Sequence, residues 1–332
     1  MDNKWDRLVT PEDVNEAWIR IRPWVRQTPA MTCSALNERC QARVVLKCEN
    51  LQKVGAFKFR GAINAVLQLS DEQRIAGVVT HSSGNHAQAL ALAARLAGTK
   101  ATIVMPNNAP AIKREATLGY GATIVPCEPN QAARESAAAR VVTESGATLI
   151  HPYDHPHVVA GQGTAAVELL DEVAGLDTLL APVGGGGLLS GTALAAQLRK
   201  PTLRVVGCEP LGADDAWRSL YGGVRVTAHT PKTISDGLLT VLGDIAFITL
   251  STLGVPIVRV TDEETVAAMR FVWERAKIII EPSSAVPVAA LMFHRDEIGG
   301  NHIGIILSGG NVDLTAFFET LRHRSEDLTK PG

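Results

Sequence analysis

The sequence predicts an α/β protein whose mainly parallel sheets are covered by helices on both faces. Three observations carry this. Short apolar runs alternate with helix-patterned segments along most of the chain. Four consecutive glycines, Gly184, Gly185, Gly186 and Gly187, stand between an apolar run and an Ala-, Leu- and Gln-rich helical segment. Hydrophobic residues make up 46% of the 332 residues and charged ones 20%, enough for a large core.

In chain order, Thr10 with Pro11, Glu12 and Asp13 opens the first helix, with a cap residue, a first-turn proline and early acids. A strand is expected over 43–48, followed by a polar-glycine segment around Lys58 and a helix to about Leu69. Strand and helix then alternate: 77–81 and 87–96, 101–105 and 111–118, 122–126 and 131–145, 148–151 and 158–173, 178–183 and 188–198. Further strands are expected over 203–208, 255–260 and 302–307. Helices are expected after the capping box that opens at Thr261 and over 284–293. No repeat or low-complexity linker divides the chain, so a second domain is expected to be inserted in the first: 1–67 with 156–332 as the larger unit and 68–155 as the smaller.

The formal net charge is -2 with no basic tract, which argues against a nucleic-acid partner. No apolar run reaches membrane-spanning length, and the N-terminal residues lack the apolar core of a signal peptide. The five cysteines form no C-x-x-C pair and read as reduced thiols of a cytoplasmic protein.

Glycines between a strand and a helix let backbone N–H groups converge beside the positive end of the helix dipole, a pocket suited to phosphate. The P-loop pattern fails, since no Gly-Lys-Ser/Thr follows. The dinucleotide pattern also fails, because Leu189 and Ser190 stand where its third glycine belongs. Glu209, at the end of the next predicted strand, keeps a nucleotide-dependent oxidoreductase open as the alternative. Lys58 lies between Phe57 and Phe59 at a predicted helix start, where apolar neighbours and the helix terminus lower an amine's pKa. A phosphate cradle together with a reactive lysine is what pyridoxal phosphate requires. His151, His155 and His157 are interrupted by prolines, which breaks the register a transition-metal site would need.

Gly55-Ala-Phe-Lys-Phe-Arg-Gly61, Ser82-Ser-Gly-Asn-His86, the four glycines, Thr233-Ile-Ser-Asp-Gly237, Glu281-Pro282 and Leu307-Ser-Gly-Gly-Asn-Val-Asp313 occur in this order. On these residues the chain resembles the fold-type II pyridoxal-phosphate enzymes of the serine/threonine dehydratase family, in the serine racemase and threo-3-hydroxyaspartate dehydratase branch. The resemblance implies a tryptophan-synthase-β-like fold with two open, mainly parallel twisted sheets. It implies that Lys58 carries the cofactor and moves the α-proton. Phe57, Asn85, Gly184, Gly185, Gly186, Gly187, Leu188 and Ser308 would complete the cofactor site, with Asn85 at the 3′-oxygen and Ser308 at the ring nitrogen. Ser82, Ser83, Asn85 and His86 would receive the substrate, with Ser83 as the acid-base group on the face opposite Lys58. Arg134 would take a second carboxylate. Glu209, the Ala213 carbonyl and Asp215 would bind Mg²⁺ or Ca²⁺.

The implied activity is conversion of a β-hydroxy amino acid (3-hydroxyaspartate, serine or threonine) to a 2-oxo acid and ammonia, with serine racemisation as a companion or main activity, in a homodimer. Ala56, Ser235, Ser283 and Ser284 depart from the commoner family residues and bear on the substrate rather than the cofactor.

Overall fold

The computed structural model describes residues 8–315 and 317–319. The remaining positions, all within the larger predicted unit, lie outside the described residues. Ten strands are described: β1 Ala30–Thr32, β2 Arg43–Cys48, β3 Val78–His81, β4 Ala101–Pro106, β5 Thr123–Cys127, β6 Thr148–Leu149, β7 Thr178–Pro182, β8 Arg204–Pro210, β9 Ile257–Val260 and β10 His302–Leu307. They form one sheet in the order β1-β2-β10-β7-β8-β9 and another in the order β5-β4-β3-β6. Every pairing is parallel except β1 with β2. The second sheet is built entirely from residues 78–149, and the first from chain on either side of it. Strand β7 lies inside the first sheet and is buried at every residue, as a strand covered by helices on both faces must be.

Most predicted boundaries shift by a residue or two, and two of the shifts bear on the site. The strand expected over 148–151 ends at Leu149, because the His151 ring nitrogen Nδ1 accepts the Asp154 N–H at 3.0 Å and turns the chain. The helix expected from Ala87 begins at Asn85, which brings two more polar residues into its first turn.

The helix that begins at Lys58 is seated by close backbone contact. On the helix Pro156–Glu172, a Cβ added to Gly161 would lie 2.7 Å from the Gly61 Cα and 2.7 Å from the Arg60 carbonyl oxygen. Only glycine permits that approach. The Gln162 side chain then accepts the Gly61 N–H at 3.0 Å.

Beside this crossing lies a closed polar network. Lys47 Nζ bonds Glu168 at 2.5 Å, and the Arg60 guanidinium takes Glu49 at 2.7 and 2.8 Å and Glu168 at 3.1 Å. The Thr28 hydroxyl donates to Glu49 at 2.6 Å. Burial works against the Glu49 charge, but Arg60 outweighs it and holds the carboxyl below its ordinary range.

Candidate active site

Lys58 is positioned by a short antiparallel contact between the segment before its helix and the end of β10. Ala56 bridges Gly309, the Phe57 N–H donates to the Ser308 carbonyl at 2.9 Å, and the Gly310 N–H donates to the Gly55 carbonyl at 2.9 Å. The lysine and Ser308 are thereby fastened to adjoining backbone. Lys58 Nζ lies 5.2 Å from the centre of the Phe57 ring and donates to the Pro152 carbonyl at 2.9 Å. Loss of hydration pushes its pKa down to about 8, against a smaller opposing pull from Glu281.

The next residue after Pro152 ties this amine to the glycine run. A Cβ on Gly185 would sit 2.2 Å from the Tyr153 ring, so that ring lies directly against the turn. Gly186 has φ +83°, and a Cβ there would lie 2.4 Å from Ala246 Cβ and 2.6 Å from Leu242 Cδ1. The turn therefore needs glycine both for its dihedral and for its space. The helix Gly187–Arg199 follows, and the Ser190 N–H bonds the Gly186 carbonyl at 2.9 Å. The amides of Gly187 and Leu188 are first-turn donors beside the positive end of that helix. A turn walled by the Tyr153 ring, with a low-pKa amine on the carbonyl of the residue before Tyr153, fits a phosphorylated aldehyde. The residues present are thus suited to pyridoxal phosphate.

Asn85 crosses the cleft between the two sheets. Its Nδ2 donates to the Glu281 carboxylate at 3.0 and 3.2 Å, and its Oδ1 accepts from Asn311 Nδ2 at 2.9 Å. Asn311 also gives its N–H to Glu281 at 3.1 Å. Burial, then the Asp236 charge, raises the Glu281 pKa to about 7. The sequence reading gave no role to Glu281, Asn311, Pro152 or Tyr153. Of these, only Glu281 and Asn311 fall in the recognised motifs; a carbonyl and a packing ring leave no signature.

The loop Ser82-Ser83-Gly84 precedes Asn85, and the Ser82 hydroxyl accepts the Gly84 N–H at 3.3 Å; Ser83 is half-buried. His86 is buried, with Nε2 3.3 Å from the Ile150 carbonyl and Nδ1 making no hydrogen bond. Burial and then the Lys58 charge hold its pKa well below the ordinary histidine value, so the ring is neutral. Ser308 is 3% exposed, its hydroxyl 3.1 Å from that of Ser284. Among the described residues, no hydrogen bond or ion pair joins Arg134 to this group. It sits half-buried on the helix Gln131–Ser145, and its Nε is unbonded.

The predicted cation ligands lie at the end of β8, which contains Glu209, and just past it. Glu209 accepts the Ala216 and Trp217 N–H groups, both at 2.9 Å, and Asp215 accepts the Leu242 N–H at 2.7 Å. The second Asp215 oxygen makes no hydrogen bond; His229 Nε2 stands 3.5 Å from it. Neighbouring Asp214 is satisfied by Arg218 at 2.9 Å and Arg259 at 3.1 Å. Among the described residues, neither Lys nor Arg pairs with Glu209 or Asp215, and burial raises both carboxyl pKa values. Two buried acids with one orphaned oxygen fit an added cation. Among the described residues no three His, Cys, Asp or Glu side chains converge as a metal cluster, the His151, His155 and His157 run included.

Residues 21–309 match the family described as "Pyridoxal-phosphate dependent enzyme". The chain is 48% identical to L-threo-3-hydroxyaspartate ammonia-lyase of Saccharomyces cerevisiae, over 95% of this chain and 97% of that protein. It is 46% identical to beta-hydroxyaspartate dehydratase of Paracoccus denitrificans, over 92% and 98%. The crystal structure of serine racemase from Dictyostelium discoideum superposes with a TM-score of 0.88 at 47% identity, covering 92% of this chain and 99% of that one.

Proposed function

The chain belongs to the pyridoxal-phosphate dependent enzymes, and from that premise we propose that it is an ammonia-lyase. It would convert a β-hydroxy amino acid (3-hydroxyaspartate, serine or threonine) to a 2-oxo acid and ammonia, with serine racemisation as a second activity. The alternative oxidoreductase reading falls with the family assignment. The observation that carries the proposal is the Lys58 amine, held by the Pro152 carbonyl rather than by a carboxylate, one residue along the chain from the ring that walls the glycine turn.

The bound cofactor supplies an electron sink for charge left on the substrate α-carbon. Lys58 would hold the cofactor through its amine and would take the substrate α-proton; its lowered pKa suits that task near neutral pH. The glycine-turn amides and the helix N-terminus hold the phosphate. Asn85, already polarised by Glu281 and Asn311, would meet the 3′-oxygen, and Phe57 packs beside the lysine. The substrate carboxylate would meet the Ser82 hydroxyl, since the Ser82 N–H is taken by the Val104 carbonyl at 3.1 Å, and the Ser83, Asn85 and His86 backbone N–H groups rather than the His86 ring. That ring is neutral and has Nε2 turned to Ile150. Ser83 acts from the opposite face and Arg134 receives a second carboxylate, which makes 3-hydroxyaspartate the favoured substrate.

Glu209, the Ala213 carbonyl and Asp215 hold Mg²⁺ or Ca²⁺, and the same Asp215 fixes Leu242, which packs against Gly186. A cation there would order the wall of the phosphate turn. Residues 68–155 form an inserted unit and 1–67 with 156–332 the larger one; the self-contained sheet over 78–149 supports that division. A homodimer and a cytoplasmic location complete the reading. Five unpaired cysteines support the latter, and no described helix is long and apolar enough to cross a membrane.

Assaying purified enzyme against L- and D-serine, L-threonine and the 3-hydroxyaspartate isomers tests the proposal. Ammonia and a 2-oxo acid should appear, fastest from a 3-hydroxyaspartate isomer, and Ser83→Ala should abolish D-serine formation while leaving elimination. No ammonia from any of these substrates would overturn it.

A further inference from the structure

We propose that Asn311 is a positioning residue for the cofactor site. It fixes the Asn85 amide so that an N–H, and not the carbonyl, is left for the cofactor 3′-oxygen. The inference rests on the reading above that Asn85 meets that oxygen, and adds what orients it.

The polarity of this hydrogen-bonded chain is set at its far end by a group with no proton to give. Asn311 Nδ2 donates to the backbone carbonyl of Val54 at 2.7 Å. Turned over, the Asn311 amide would press its own oxygen on that carbonyl oxygen, and two acceptors do not bond. The other Nδ2 proton of Asn311 goes to Asn85 Oδ1 at 2.9 Å. An amide nitrogen carries two protons, so Asn311 has spent both. Asn85 Oδ1 is thereby tied to a donor, and its Nδ2 is turned to the Glu281 carboxylate at 3.0 Å. One Asn85 proton goes to Glu281 and one remains. That donor complements an ionised 3′-oxygen, which a carbonyl in its place would repel.

Glu281 is the weaker of the two restraints on Asn85. Its pKa is raised to about 7 by burial, so near neutrality part of the population carries a proton that a turned Asn85 amide could accept. Asn311 holds the orientation in both states of that acid, because the Val54 carbonyl does not titrate. Val54 also lies four residues before Lys58, so the segment that carries the amine orients the amide as well. Gly55 leaves the space for this: a Cβ there would lie 2.5 Å from Asn311 Oδ1.

The experiment is absorption spectroscopy of the holoenzyme. Hydrogen-bond donation to the 3′-oxygen favours its ionised, visible-absorbing form over the neutral form that absorbs in the near ultraviolet. Asn311→Asp keeps the shape but, even protonated, has one proton where Val54 and Asn85 need two. It should lower the ratio of visible to near-ultraviolet cofactor absorbance by roughly tenfold, about the worth of one hydrogen bond, as should Asn85→Ala. In the Asn85→Ala background Asn311→Asp should add little, since Asn311 acts through Asn85; a purely structural or electrostatic role would add in full. A ratio lowered by Asn85→Ala but unchanged by Asn311→Asp would overturn this inference and leave Asn85 where it was read. So would an Asn311→Asp effect that is as large without Asn85. A ratio that neither variant moves would overturn the reading of Asn85 as well. If Asn311→Asp loses its cofactor, Asn311→Ala decides, with a smaller fall that likewise vanishes in the Asn85→Ala background.

Discussion

Lys47 and Lys58 are eleven positions apart in the sequence and both are withdrawn from bulk water, yet their surroundings are opposite. Lys47 ends on the Glu168 carboxylate at 2.5 Å and on the Thr28 carbonyl at 2.6 Å, inside a network that also contains Arg60 and Glu49. Lys58 ends on a carbonyl alone, and its pKa falls to about 8. A buried lysine with an acid is part of the framework; one desolvated without an acid is kept ready to lose its proton. Glu209 and Asp215 are the mirror image of Lys58, buried acids that among the described residues no lysine or arginine pairs with, which is the ground for the cation proposed there.

The comparison can be broken at its strongest point by exchanging roles. Lys58→Ala should eliminate the visible absorption of bound cofactor and cut ammonia release by roughly 10²–10⁴-fold or more, while the cofactor-free protein becomes more stable at neutral pH, relieved of a desolvated amine. Lys47→Met should do the reverse, leaving Glu168 short of a partner and costing about 3–5 kcal/mol in chemical unfolding, while any refolded fraction keeps its turnover. If Lys47→Met removed turnover without loss of stability, the division between framework and reactive lysines would fail.

The pH dependence sharpens the same contrast. In cofactor-stripped protein, capture of added cofactor should accelerate as pH rises and level off above about 8, the depressed value of Lys58, rather than climbing toward 10.5. The sign for stability follows. Between those two values the unfolded chain binds the proton that the fold rejects, so the stripped protein gains stability as pH rises through the window. Lys58→Ala should erase that rise in a pH series of unfolding midpoints.

The smallest effect is expected at the acid pair. EDTA should lower the melting temperature by a few degrees, roughly what about 1 kcal/mol does to a domain of this size, and weaken cofactor retention. Mg²⁺ or Ca²⁺ should restore both, and Asp215→Asn should make the protein indifferent to either treatment. A wild-type protein indifferent to EDTA and to added cation would leave Glu209 and Asp215 as buried helix- and loop-capping acids.

Much of this was legible in the sequence because glycine and lysine act through backbone space and charge, which composition records. The four glycines, Lys58 and the strand-helix alternation could be read directly. The antiparallel edge strand β1 could not, since three residues ending in two exposed positions carry no pattern. The helix Asp71–Ala76 has a capping box at Ser70 and Gln73 but buries no residue, so no apolar period marks it in the sequence. The Asn85–Glu281–Asn311 network joins Asn85 to residues about two hundred positions away, a tertiary contact that no local window contains.

The most direct test of the central claim is borohydride reduction of the holoenzyme followed by peptide mass mapping. The account predicts a single phosphopyridoxyl group, on Lys58, in the peptide that continues into Phe59. The label on any other lysine, or no label in protein that retains its cofactor, would contradict it.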